Sequence, residues 1–337
     1  MTDLLEGFLS ILVNSSFGTR SKMKTVAIYG AGLLGTNVAK LLSQTSKVTV
    51  LGPYGRSERD LALRSGSDVV IIATTTRLRD VAEDAREAIG AGSNVLISAE
   101  EAAFPFIVNE SLATSLDLLA REKGVSVAGT GLNPGLIFDA LVLTMLGASP
   151  RGCRIHVRRV VDISGFGETV LRRIGAGKSE IDFAKAVKSE EILGHAGFPQ
   201  SMYVVANALG LKIDRIDKTL LPVITNQDIV VPGKFTIKSG ESAGVDQTYT
   251  GVVDGKPWFI AHFFGHVALN LIKKNSGDDI DLMLGQKPIQ SIKLRPGISA
   301  QVGSQNMVAN SIDRIISARS GWVTVAEMSP AFPIPAV

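Results

Sequence analysis

Cysteine is nearly absent: Cys153 is the only one in 337 residues. A single thiol excludes an intramolecular disulfide framework and a cysteine-rich metal site, and it fits a reducing compartment. Charge of one sign is missing as well. Thirty-five Lys and Arg against 32 Asp and Glu leave a net charge of +3, without the concentrated basic excess of a nucleic-acid binder. No apolar run approaches the ~20 residues needed to cross a bilayer. A cytoplasmic protein with neither nucleic acid nor membrane as partner is therefore expected. Histidine is scarce too, at four, and no His/Asp/Glu spacing points to a metal, so none is expected. What remains, 45% hydrophobic and 20% charged residues with 34 Gly, is ordinary for a globular chain. The length exceeds the ~150 residues typical of one domain, so one large or two medium domains are expected.

Residues 1–23 read as an N-terminal extension, a partly helical or frayed tail. Asp3 and Glu6 occupy the place where a signal or transit peptide carries basic residues. From Thr25 onward, short apolar runs alternate with amphipathic ones. Strands are expected at 25–29, 48–51, 68–73, 94–98 and 125–128, with helices at 78–91 and 112–123 between them. This alternation implies right-handed crossovers and an α/β Rossmann-type, doubly wound parallel sheet. Beyond Gly135 the pattern changes. Residues 155–163 are long and alternating, and Asp254-Gly255 sits between two alternating runs as a hairpin signal. A second α+β domain with an open mixed sheet is expected there. Gln305 to Ala318 reads as one amphipathic helix returning to the first domain. The expected division is 24–137 with 303–337 for dinucleotide binding, and 138–302 for substrate binding and dimerisation.

Gly30-Ala31-Gly32-Leu33-Leu34-Gly35 follows the first strand and opens the first helix. In that setting Gly30 permits the tight turn, Gly32 lets the backbone approach a pyrophosphate, and Gly35 allows close helix–strand packing. The amides of the helix N-terminus, from Leu33 and Leu34 onward, suit the phosphates. An NAD site commonly places an acid about 20 residues later to hold the ribose 2′-hydroxyl. Here the second strand runs into Leu51-Gly52-Pro53-Tyr54-Gly55-Arg56-Ser57, with no acid at its end. Arg56 and Ser57 suit a 2′-phosphate, so NADP is favoured over NAD. Arg59 either assists there or is solvated. Thr74 ends the third strand at the carboxyl edge, where ligands lie in such sheets.

Two later segments carry more information: Ser98-Ala99-Glu100-Glu101-Ala102-Ala103-Phe104-Pro105 and Gly129-Thr130-Gly131-Leu132-Asn133-Pro134-Gly135-Leu136-Ile137-Phe138-Asp139. With Arg158-Arg159-Val160-Val161-Asp162 and Gly194-His195-Ala196-Gly197-Phe198-Pro199-Gln200-Ser201, they resemble the native amine dehydrogenases and 2,4-diaminopentanoate dehydrogenases. In fold that family is similar to dihydrodipicolinate reductase. The likeness runs from Thr25 to about Pro333, and the Gly-Thr-Gly-x-Asn-Pro-Gly segment is its most specific part. The resemblance implies NAD(P)-dependent reductive amination of small ketones or aldehydes with ammonia, the reverse deamination of amines, and a homodimer. A diaminopentanoate-type or other amino-acid-linked dehydrogenase is the alternative, as is a non-catalytic, NADP-binding dimer.

Reductive amination needs a carboxylate that deprotonates ammonium and relays protons as the carbinolamine loses water. The family's Glu after this strand corresponds to Glu100 or Glu101. Ser98 followed by Glu101 is a capping-box pattern, which gives Glu101 a structural task and leaves Glu100 as the expected catalytic acid. Asn133 either binds the nicotinamide carboxamide or braces its turn. A lone His is commonly a satisfied structural residue, whereas the resemblance puts His195 near the substrate, and both readings stand; Phe138 and Phe166 either line an apolar pocket or pack in the core. Gln200 stands where the family often has Glu, which weakens a second acid there.

Overall fold

The computed structural model describes residues 23–333, and all but the last residue of the expected N-terminal tail lies outside them. Consecutive buried Val and Ile residues with turn residues between them produce a βα alternation: β1 Lys24–Tyr29, α1 Leu33–Leu42, β2 Val48–Tyr54, α2 Arg59–Leu63, β3 Val69–Ile72, α3 Leu78–Gly90, β4 Asn94–Ile97, α4 Glu110–Lys123 and β5 Ser126–Gly129. With β14 (Gly321–Trp322), these strands form a six-stranded sheet in the order β14-β5-β4-β3-β1-β2. Every pair in it is parallel. All four residues of β3 are buried because helices cover both faces. The expected doubly wound architecture is present, with boundaries shifted by one to three residues.

The second sheet follows α5 (Ala140–Gly147) and consists of β6 Arg154–Asp162, β7 Arg215–Ile224, β10 Ser242–Val253, β11 Lys256–His266, β12 Gly277–Leu284 and β13 Lys287–Leu294. Its order is β13-β12-β6-β11-β10-β7. Only β6 and β11 run parallel, so the sheet is mixed. Asp254 and Gly255 both take positive φ, as the two-residue hairpin requires. Helices α6 Glu168–Arg173, α7 Glu180–Lys188 and α8 Phe198–Leu209, with a small hairpin of β8 Ile229–Val231 and β9 Phe235–Ile237, complete this region. The sheet needs one face covered, and the sequence pattern offers too few helices in this region to cover it. In the structure α5, α7 and α8 pack on one face and bury Val157, Phe198, Val245, Phe259 and Ile280 between them.

The expected single helix over 305–318 is corrected to two, α9 Ala300–Ala309 and α10 Ile312–Ile316. Ser311 lies at the break, where its hydroxyl donates to the Met307 carbonyl and accepts from Arg314 Nη1. As expected, this segment returns to the first domain, α9 against α1 and α10 against β3, β4 and β5. Among the described residues, no helix is long and apolar enough to cross a membrane.

Candidate active site

The carboxyl ends of β1 to β5 face the second sheet across a cleft. At the β1 end, Gly32 caps α1 with extended backbone and no acid in the following turn. A side chain on Gly30 would collide with the Ala73 carbonyl, and one on Gly35 with the Gly30 carbonyl. Nothing lies within 4 Å of where a side chain on Gly32 would stand. The loop is thus closed against its own sheet and open toward the cleft, and the first-turn amides of α1 have no partner within the helix. Leu33 is exposed and Leu34 half-buried beside it, and Phe166 faces both across the cleft. Arg56 and Ser57 form an exposed turn just past β2, and Thr74 is exposed at the end of β3. Arg59 departs from expectation. Asp84 at 2.6 Å and Glu87 at 2.8 Å hold its guanidinium in an ion-pair network, because α3 presents both acids to it.

The β4 and β5 ends meet at a narrow pocket that widens into a cavity of about 400 Å³; Glu100, Leu132, Asn133 and Ser304 line both. Glu100 and Glu101 sit on a short 3₁₀ turn and diverge. Glu101 turns away, and its Oε2 accepts from the Leu78 amide at 2.7 Å. That contact replaces the expected capping box. Ala99, not Ser98, occupies the cap position and makes no side-chain cap. The first amide of α3 lacks any side-chain cap of its own and needs that acceptor. Glu101 therefore has a structural task, with a different partner from the one expected.

Glu100 faces the cavity. Burial, with the Glu101 charge adding to it, pushes its carboxyl up to about 8, while Arg173 pulls weakly the other way. Its Oε1 lies 4.0 Å from His195 Nδ1. Burial lowers His195 to about 4, so the ring is neutral at pH 7. That ring contacts the Ala196 carbonyl through Nδ1 and stacks on Phe198 at 4.8 Å. The Gln247 amide grips both sides of its backbone, accepting from His195 N at 2.8 Å and donating to His195 O at 3.1 Å. Two groups from different domains are thereby fixed in one cavity.

Asn133 Oδ1 and Thr130 Oγ1 are buried without a hydrogen-bond partner among the described residues. Leaving such an atom unpaired costs about 1–3 kcal/mol; Ser93 Oγ is a third of this kind, but only Asn133 and Thr130 line the pocket, where a ligand would satisfy them. Together with the open glycine loop, these acceptors fit a dinucleotide whose nicotinamide end reaches the β5 loop.

Phe166 lines the cavity. Phe138 does not: it is fully buried, edge-on to Phe198 at 4.8 Å, one layer behind the wall that His195 forms. The reason is local, since Phe138 precedes Asp139, the buried N-cap of α5, and packs in the second domain's core. Gln200 is likewise buried, on α8. Sequence reasoning gave Arg159 no role, yet it is 1% exposed, lies at the cavity wall, and donates to Asp278 Oδ1 at 2.9 Å and to the Ile298 carbonyl at 2.6 Å. Its signal was legible: strand alternation puts Arg159 on the same face as Ile155 and Val157, a cation on an apolar face.

Residues 136–336 match the family described as the 2,4-diaminopentanoate dehydrogenase C-terminal domain. A 2,4-diaminopentanoate dehydrogenase of Acetoanaerobium sticklandii is 30% identical over 336 residues, covering 92% of this chain and 93% of that protein. Among solved structures, an amine dehydrogenase from Mycobacterium smegmatis superposes with a TM-score of 0.79 at 18% identity, covering 92% of this chain and 97% of the other. The last likeness speaks to fold.

Proposed function

The chain belongs to the 2,4-diaminopentanoate dehydrogenase family, and from that premise we propose that it is an NADP-dependent amine dehydrogenase. It joins ammonia to small ketones or aldehydes and runs the reverse deamination. The observation that carries this reading is the Glu100 carboxyl, held near 8 beside a neutral His195 and the unpaired acceptors of the β5 loop. A general base that exchanges protons with ammonium works best with a pKa close to the working pH. Glu100 takes a proton from ammonium, freeing the lone pair that attacks the carbonyl carbon. It then returns the proton to the carbinolamine hydroxyl, which leaves as water. The carboxylate left behind favours the cationic iminium. Bound NADP supplies the hydride acceptor for deamination and, reduced, the donor for amination.

In this reading residues 24–137 and 303–337 hold the nucleotide. The glycine loop takes the pyrophosphate, Arg56 and Ser57 the 2′-phosphate, Thr74 flanks the cleft, and Asn133 meets the carboxamide. Residues 138–302 supply Phe166 and His195 to the substrate. A second reading is a substrate carrying a carboxylate and a second amine, as in the relative's name. It is favoured by Arg173, Glu190 and Glu191 at the cavity wall. Initial rates of NADP reduction with cyclohexylamine and with 2,4-diaminopentanoate separate the two. Tight NADPH binding without turnover on any amine would overturn both. The second sheet also supports a homodimer. The face away from α5, α7 and α8 carries Leu221, 59% exposed, and the Asp246–His262 pair. A two-fold copy covers such a face economically.

A further inference from the structure

The loop of Asn133 and the turn of His195 belong to opposite walls of the cleft, and one buried carboxylate joins their supports. Asp139 is fully buried. Its Oδ1 accepts from the Ala140 amide at 2.7 Å and so caps α5. Its Oδ2 accepts from the Gly135 amide at 2.8 Å and from the Ser201 hydroxyl at 2.8 Å. Gly135 closes the Asn133 loop at φ +134, where a side chain would strike the Gly131 backbone. Ser201 lies in the first turn of α8, directly after His195 and Gly197. A side chain on Gly197, at φ +90, would come within 2.6 Å of Pro134 and 3.3 Å of Glu100 Cβ. The α8 start thus packs directly on both the Asn133 loop and Glu100.

Burial raises the Asp139 carboxyl above the ordinary carboxylate range, and the hydrogen bonds it accepts from Ala140, Gly135 and Ser201 oppose that shift, with a smaller opposing contribution from buried Arg314 on α10, which Ser311 and the Ser329 carbonyl hold in place. An N-cap alone needs one accepting oxygen. The second oxygen of Asp139 is spent on two segments that α5 does not need.

We propose that Asp139 is a positioning residue: through Gly135 and Ser201 it sets the Asn133 loop against the head of α8, and so fixes where the cofactor side and the substrate side of the cleft meet. The proposal rests on the dinucleotide reading of the cleft. The test therefore measures NADPH affinity directly, by fluorescence titration of the full chain, and does not depend on finding the right amine. Asp139→Asn keeps the shape and one accepting oxygen but turns an NH₂ toward Gly135 or Ser201. The NADPH dissociation constant is expected to rise about tenfold in D139N and about threefold in S201A. S201T, which keeps the hydroxyl, should return it to the wild-type value. With the active amine, kcat at saturating NADP should fall in the same order, which a cap that only stabilises α5 would not produce. If D139N does not fold, S201A against S201T decides. Unchanged NADPH affinity in S201A, or no recovery in S201T, overturns the proposal. So does a D139N protein that loses thermal stability alone. Wild-type protein that fails to bind NADPH at all would overturn the dinucleotide reading itself.

Discussion

Glu100→Gln keeps the side-chain volume and removes the group that exchanges protons. Two consequences follow from the same burial. In the folded protein the carboxyl is raised from an ordinary 4.5 to about 8. Between those values the native state holds a proton that the unfolded chain has released. Stability therefore falls as pH rises through that window and levels off above it. At about 1.4 kcal/mol per pKa unit, the cost has a ceiling of about 5 kcal/mol. The side chain is 26% exposed to the cavity, so solvent screening lowers the realised figure. Gln carries no such cost. Thermal melts at pH 5 should find variant and wild type close together, and melts at pH 9 should find the variant more stable by several degrees. Turnover should move the opposite way, falling about 10²–10⁴-fold. The acidic limb of the wild-type profile for amine oxidation, rising through about pH 8, should vanish in the variant. Near-normal turnover in Glu100→Gln refutes the proton-relay role. A melting difference that is the same at pH 5 and pH 9 refutes the account of how the site holds its proton.

Glu101→Ala should lower stability by about 0.5–2 kcal/mol through loss of the acceptor for the α3 N-terminus and leave kcat within a few-fold; a collapse of kcat in a folded variant would move the proton relay to Glu101. Arg56→Ala should weaken NADP binding by about 1.5–3 kcal/mol, the worth of a charge-assisted hydrogen bond, and leave NAD unchanged; an unaltered NADP-to-NAD ratio of dissociation constants removes Arg56 from the 2′-phosphate site. Light scattering at micromolar concentration should give twice the chain mass, and a monomer there ends the two-fold reading of the open sheet face.

Which properties the linear sequence determined follows from the range of the forces involved. The first sheet was legible because each of its strands is a short apolar run closed by turn residues, and the glycine loop because its backbone demands act within six positions. The Asp254-Gly255 hairpin was legible for the same reason. Glu101 shows the limit. Its spacing from Ser98 predicted a local cap, but the nearest unmet amide belonged to Leu78, which chain tracing brings to the same sheet edge. The break at Ser311 was hidden because apolar periodicity continues through it into Ile312, Ile315 and Ile316. Phe138 and Phe166 look alike as residues, and only packing decided that one faces core and the other the cleft. Arg159 needed Asp278, and Asp139 needed Ser201, partners 119 and 62 positions away. Local periodicity sets elements, because neighbours in sequence share one backbone. Protonation, orphaned acceptors and cleft geometry come from burial among distant segments, and only the tertiary structure decides them.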